Sequence, residues 1–174
     1  MSADVDLLLL AGRSGVGKSA VAEEISAQLK HARLGHALMD GDWLDRLFPQ
    51  APPDLFDQNF RALWGNYRNF GCRRLIYSNW ASIRNADRLV GLMAGPGEVR
   101  RVGVLLTCDD DTARVRLTAR EHASGLAWHL ANLAALNDDP DLSRSTPDWA
   151  HRLNTERRTV AEVATEIVGL LNWA

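Results

Sequence analysis

The sequence predicts an α/β fold on a mostly parallel sheet, and three observations carry that expectation. Strand-like and helix-like runs alternate from one end to the other. A glycine-rich segment, Gly12-Arg13-Ser14-Gly15-Val16-Gly17-Lys18-Ser19, joins the first strand-like run to the first helix-like run and satisfies the spacing G-x-x-x-x-G-K-[ST]. The chain has 174 residues, 46% hydrophobic and 24% charged, which suits one globular domain with a substantial core.

The first strand is expected at Val5 to Ala11. In the helix after the glycine-rich segment, Val21, Ile25 and Leu29 recur every four residues and make one apolar stripe for the sheet. Gly35 restarts the chain, and a short strand from His36 to Met39 runs into Asp40-Gly41-Asp42. A short helical piece carrying Trp43, Leu44 and Leu47 should follow, stopped by Pro49. Ala51-Pro52-Pro53-Asp54 is a rigid connector into a helix near Leu55 to Phe70, which Gly71 ends.

A third strand is expected at Arg73 to Asn79, a helix at Arg84 to Met93, and a fourth strand at Arg101 to Thr107 after the Gly95-Pro96-Gly97 turn. The carboxylates Asp109, Asp110 and Asp111 suit the N-terminus of a helix from Thr112 to Glu121. A further helical segment near Leu126 to Leu136 and a polar loop from Asn137 to Asp148 come next. The last strand is expected at Ala150 to Asn154. Thr159-Val160-Ala161-Glu162 has the capping-box pattern and opens an amphipathic helix with Val160, Val163, Ile167 and Leu171 on one face.

In a strand-loop-helix setting, the glycines let successive backbone N–H groups turn inward around a phosphate chain. Lys18 reaches the outer phosphates, the Ser19 hydroxyl is placed to hold Mg²⁺, and the positive end of the following helix faces the same anion. Gly12, Arg13, Ser14, Gly15, Val16, Gly17, Lys18 and Ser19 are therefore the expected nucleotide-binding residues, with ATP and Mg²⁺ as cofactors.

Phosphoryl transfer also needs a group that orients or deprotonates the attacking hydroxyl. Asp40 and Asp42 lie at the carboxyl end of the second strand, the edge of an open α/β sheet where ligands bind. One carboxylate near the metal, Asp40, and one near the acceptor, Asp42, would meet both needs; the competing reading has Asp42 merely capping the helix that starts at Trp43. The third strand ends Tyr77-Ser78-Asn79-Trp80 without an acid, so the metal-holding role shifts to Asp40 or Asp42, and a hydrolytic motor is disfavoured. Arg116 and Arg120, four apart on one helix face, are candidates for a lid over about 116–136 that brings positive charge to the transition state. Trp43, Trp64 and Trp80 are candidates for an aromatic wall beside a small acceptor, and Arg84 and Arg68 for contacts to an anionic one.

With these features in order, nearly the whole chain resembles the small-molecule kinase branch of the phosphate-loop fold: gluconate kinases, adenylylsulfate kinases and chloramphenicol phosphotransferases. Asp40-Gly41-Asp42 looks like the D-G-D of adenylylsulfate kinases, and Gly41-Asp42-Trp43-Leu44 through Pro49 resembles the segment bearing the catalytic Asp of chloramphenicol phosphotransferases. Ile76-Tyr77-Ser78-Asn79 with Arg84 is similar to the strand and substrate-binding turn of adenylylsulfate and gluconate kinases, and Leu117 to Leu136, with Arg120 and His122, to the lid of gluconate kinases. The third-strand Asp pair of chloramphenicol phosphotransferases and the Lys-rich substrate loop of adenylylsulfate kinases are absent, which puts the substrate in doubt rather than the fold. The resemblance implies a P-loop NTPase fold with a five-stranded parallel core of order 2-3-1-4-5, helices on both faces and a small helical lid.

The expected function is transfer of the γ-phosphoryl of ATP to a hydroxyl of a small molecule, with Lys18, Asp42, Arg116 and Arg120 catalytic, Asp42, Trp43, Trp80 and Arg84 at the substrate, and Ser19 and Asp40 at the metal. The alternative is a nucleotide-binding switch or resistance-type ATP-binding protein with weak or no transfer. The absence of N-K-x-D argues against a GTPase, and the absence of L-S-G-G-Q against a transporter ATPase. A net charge of −2 gives no electrostatic footprint for nucleic acid or acidic membranes. The run Val5–Ala11 lacks a basic leader and is too short to span a bilayer, and Cys72 and Cys108 suit a reducing compartment, so a cytoplasmic monomer or homodimer is expected. The five histidines show no zinc-ligand spacing with the two cysteines.

Overall fold

The computed structural model describes residues 4–93, 95, 97–120 and 146–173, and of Arg120 the backbone. Five strands form one sheet: β1 Val5–Ala11, β2 Ala37–Asp40, β3 Arg74–Ser78, β4 Val99–Thr107 and β5 Ala150–Asn154. The order is β2-β3-β1-β4-β5, and every pairing is parallel. This is the order expected, and it places β1 at the centre.

A central parallel strand is covered on both faces, and β1 shows it: all seven of its residues are buried. Leu7, Leu9 and Ala11 enter one core with Phe60 and Trp64 from helix α2 (Leu55–Asn69) and Leu89 and Leu92 from helix α3 (Ala86–Leu92). Leu8 and Leu10 point the other way, into a core with Val21, Ile25 and Leu29 of helix α1 (Lys18–His31) and Val163, Ile167 and Leu171 of helix α5 (Val160–Leu171). Helix α4 (Asp110–Arg120) adds a small cluster of Ala113 and Leu117. The expected capping box is formed in full, with Thr159 accepting from the Glu162 N–H and Glu162 accepting from the Thr159 N–H.

Parallel strands bring all their carboxyl ends to one edge. Register sets Asp40 beside Ser78, Leu10 beside Ser78 and Val104, and Thr107 beside Asn154. The segments after β1, β2, β3, β4 and β5 therefore meet along that edge.

Several local expectations change: β4 starts at Val99 rather than Arg101, α3 at Ala86 rather than Arg84, and α4 at Asp110 rather than Thr112. β2 runs one residue further than expected, to Asp40, and Gly41–Trp43 is a single 3-10 turn in place of a helical piece reaching Pro49. The helix does not propagate because Leu44 is the one large apolar side chain buried in that stretch, while Trp43 and Leu47 are exposed, so no apolar face rewards it. The Asn59 amide from α2 takes the Leu44 carbonyl at 2.6 Å, occupying an acceptor that a helix would use. The expected helix near 126–136, the loop from 137 to 145 and the lid beyond residue 120 lie outside the described residues.

Phe60 links this core to the carboxyl edge, because it is fully buried and meets Tyr77 edge-on at 5.8 Å between centroids. Replacing Phe60 with Ala should lower the unfolding free energy by about 3–5 kcal/mol, measured by urea denaturation.

Candidate active site

Gly12, Gly15 and Gly17 all have positive φ (136°, 82° and 101°), the backbone that turns successive N–H groups into one concavity. Gly12 and Gly15 also lack room for a side chain. A Cβ at Gly12 would stand 2.5 Å from the Leu106 carbonyl oxygen, and one at Gly15 would stand 2.6 Å from that of Ala113. Gly17 ends the loop as the residue that caps α1. The loop thus lies pressed against β4 and α4, with its N–H groups at the mouth of α1.

Side chains pin it from both flanks. Arg13 is buried at 9% exposure, donating to the Cys108 carbonyl at 2.8 Å and pairing with Asp110. Arg116 donates to the Val16 carbonyl at 3.2 Å and to the hydroxyl and carbonyl of Thr155 at 2.9 and 3.0 Å. Buried Thr155 in turn donates to the Val16 and Thr107 carbonyls. Arg116 is therefore engaged with the loop and the end of β5. The Arg120 side chain lies outside what is described. Lys18 folds back to the carbonyls of Gly12 at 2.7 Å and Arg13 at 2.9 Å.

Among the described residues, two cavities flank the loop. One of about 420 Å³ is lined by Gly15, Gly17, Val21, Arg116, Thr155, Val160 and Val163, mostly apolar. The other, about 550 Å³, runs from Ser14 and Lys18 across Gly41, Asp42, Asp45 and Arg46 to Tyr77, Asn79, Trp80 and Arg88. Lys18 and Asp42, predicted from separate motifs, share this second cleft.

Asp40 and Asp42 divide their work. The Asp40 carboxylate accepts the Asp42 N–H at 2.9 Å and so caps the 3-10 turn, which frees Asp42 from the capping role. The Asp42 carboxylate accepts instead from the Asn79 amide at 2.6 Å. Although it opens on the cleft, partial desolvation by the cleft walls raises its pKa, and the Asp40 carboxylate adds to this; Lys18, Asn79 and Arg46 oppose it. Asn79 stands where an acid was missing from the third strand, and it serves Asp42. Gly41 is required by Tyr77, whose hydroxyl would lie 2.1 Å from a Cβ there.

The expected aromatic wall reduces to Trp80, which lines the cleft at 46% exposure. Trp64 is buried in the core under α2, and Trp43 is 67% exposed with Arg46 stacked on it at 4.4 Å. Arg84 lies over the Trp80 ring at 5.9 Å, and Arg68 over Trp64 at 5.9 Å; among the described residues neither lines the cleft. The lining residues Asp45, Arg46 and Arg88 were not singled out from the sequence, and Tyr77 and Asn79 entered only within the segment that resembles a substrate-binding turn. Arg88 pairs with Asp57 at 2.6 Å. Among the described residues no group of three or more His, Cys, Asp or Glu could hold a metal, and no helix is long and apolar enough to cross a membrane.

The sheet order, the glycine loop at the head of α1 and the helices on both faces define a P-loop NTPase fold. The same architecture is found in a gluconokinase from Sinorhizobium meliloti 1021, with 19% sequence identity over 95% of this chain and 91% of that one at a TM-score of 0.60. It is found again in the APS kinase of Mycobacterium tuberculosis in complex with AMPPNP and APS, with 19% identity over 96% and 97% of the two chains at a TM-score of 0.59. No protein-family model matches the chain, and no curated protein matches it in sequence.

A raised carboxyl pKa has a sign in stability. In the window that begins at the ordinary Asp value of 3.8 and ends at the higher folded value, the folded protein holds a proton that the unfolded chain has released. Asp42 therefore takes stability away as pH rises through that window. Asp42→Asn should raise the urea midpoint at pH 7 relative to the native chain, with the difference shrinking below pH 4.

Proposed function

We propose that the protein is a kinase that transfers the γ-phosphoryl of ATP to a hydroxyl of a small molecule, with Mg²⁺. The observation that carries this reading is the position of the glycine loop between two cavities, with Lys18 and Asp42 in the same one. The apolar cavity beside Gly15, Gly17 and Val160 suits a nucleotide base, and the cleft beyond Lys18 suits the acceptor. The names of the structural neighbours, a gluconokinase and an APS kinase crystallised with AMPPNP and APS, support the same division.

The residues present fit the required groups. Backbone N–H groups from Gly12 to Ser19 form the phosphate cradle, which a Cβ at Gly12 or Gly15 would break by collision with β4 or α4. Mg²⁺ would be held by the Ser19 hydroxyl and Asp40 with phosphate oxygens completing its shell, a donor set that needs no cluster of protein ligands. When bound it would neutralise the β- and γ-phosphate charge.

Lys18 would exchange its bonds to the Gly12 and Arg13 carbonyls for the outer phosphates and follow the negative charge onto the leaving ADP. The acceptor oxygen forms its bond to the γ-phosphorus as the bridge oxygen of ADP departs, and the hydroxyl proton passes to Asp42. A carboxylate with an elevated pKa is the better proton acceptor, and the Asn79 amide fixes its orientation. Trp80 borders the acceptor. Trp43 and Arg84 are assigned secondary parts at its rim through their stacking on Arg46 and Trp80. Arg116 joins α4 to the loop, and with Arg120 it is assigned to closing positive charge over the phosphates.

The experiment is acceptor-dependent transfer from radiolabelled ATP, assayed with a panel of sugars, nucleosides, antibiotics and sulfur nucleotides. Lys18→Ala should cut transfer by about 10²–10³-fold, and Asp42→Asn by about 10²–10⁴-fold with ATP affinity kept. Full transfer by Asp42→Asn on an identified acceptor removes its role; tight ATP binding with no transfer to any acceptor favours a binding protein.

A further inference from the structure

Tyr77 lies at the floor of the acceptor cleft, a lining residue only 2% exposed. Its ring is fixed edge-on against Phe60 and its hydroxyl stands over Gly41, where any Cβ would collide with it. Among the described residues that hydroxyl makes no hydrogen bond, although Asp42, Asn79 and Asp40 next to it are all engaged with one another. A fixed hydroxyl that faces an open cavity, with no protein group engaging it among the described residues, is placed to donate to a ligand in that cavity.

The charges around it choose the kind of ligand. On the acceptor side of Lys18 the cleft carries two guanidinium groups, Arg46 and Arg88, and two carboxylates, Asp42 and Asp45. Arg88 is already paired with Asp57 at 2.6 Å, and Arg46 lies on Trp43. Among the described lining residues beyond Lys18, positive charge is thus matched or exceeded by negative charge, which disfavours an anionic acceptor there. Burial, and after it Asp42, Asp40 and Asp45, push the Tyr77 hydroxyl far above the ordinary tyrosine range, so it stays a protonated donor. Phe56 and the half-exposed Trp80 supply flat apolar walls on the same cleft.

We propose that the acceptor is an uncharged hydroxyl compound with one flat apolar face, and that Tyr77 selects it by donating a hydrogen bond to one of its oxygens. This rests on the kinase reading of the same cleft. Asp42 takes the proton of the reacting hydroxyl while Tyr77 supplies one to a neighbouring oxygen, so the floor reads donor and acceptor side by side. Tyr77 is thus a specificity-determining residue.

The test titrates the full chain, saturated with AMPPNP, with two neutral probes (adenosine and phenyl β-D-glucoside) and two anionic ones (D-gluconate and adenylylsulfate), followed by calorimetry. A parallel assay offers each probe with ATP. A neutral probe should bind at least about tenfold tighter than either anion, and Tyr77→Phe should weaken it by about tenfold while leaving AMPPNP affinity and Tm unchanged. Preferential binding of an anion, equal binding by Tyr77→Phe, or binding of no probe overturns the proposal. Transfer to an anion leaves the kinase reading standing while this one falls. Binding of a neutral probe, lost in Tyr77→Phe but without transfer, upholds the assignment of the cleft and removes the kinase reading.

Discussion

The site depends on one steric constraint: the glycine loop has no space for side chains where it crosses β4 and α4. Gly12 lies against the Leu106 carbonyl and Gly15 against that of Ala113, and both adopt positive φ. Only glycine meets both conditions without strain. Close packing then makes the neighbouring polar bonds possible. Arg13 can bury its guanidinium against Cys108 and Asp110, and Arg116 can reach the Val16 carbonyl, because the loop lies within reach of both. These are charge-assisted bonds; Arg13 and Val16 have little access to water, whereas the Asp110 carboxylate is exposed. The loop is held in place from both flanks.

That two-sided support contrasts with the segment after β2. Its backbone is secured by a single capping carboxylate, Asp40, and by the Asn59 amide on Leu44, while Trp43, Leu47 and Phe48 stay exposed. The packing constraint here is again glycine, but the opposing group is the Tyr77 hydroxyl rather than backbone. A single side chain thereby sets the depth of the cleft floor. The glycine loop is thus shaped by main chain, and the neighbouring cleft by side chains.

This difference explains what the sequence made legible. Backbone-determined features follow local patterns, so β1 at Val5–Ala11, β5 at Ala150–Asn154, the phosphate loop and the Thr159 capping box are found where the residues point to them. The sheet order came from the family resemblance and not from periodicity. The larger cleft was only partly legible, since Tyr77 and Asn79 reach it through the pairing of β3 with β1 and β2, and Arg88 through the packing of α3 beside them, which no local spacing encodes. The residue that caps the turn shows the same limit. Asp40 and Asp42 are equivalent by type and by their alternating position, and only the extension of β2 through Asp40 decides which one caps. Trp64 was misleading for a related reason: its helix turns it into the core between sheet and α2.

Asp42 then carries a tension that the rest of the cleft resolves. Its surroundings, partial desolvation and the Asp40 carboxylate, disfavour its charge and so weaken the folded state at neutral pH. A carboxylate placed only for stability would be surrounded by cations, yet Lys18 is turned to the loop carbonyls and Arg46 to Trp43. Strongly pairing Asp42 would lower its pKa and spend its lone pairs, leaving a poor proton acceptor. A single neutral donor, Asn79, orients the group without neutralising it. The destabilised carboxylate and the Tyr77 hydroxyl, which no protein group engages among the described residues, occur together on one cleft floor beside the glycine loop, a local conflict with stability of the kind that marks functional sites.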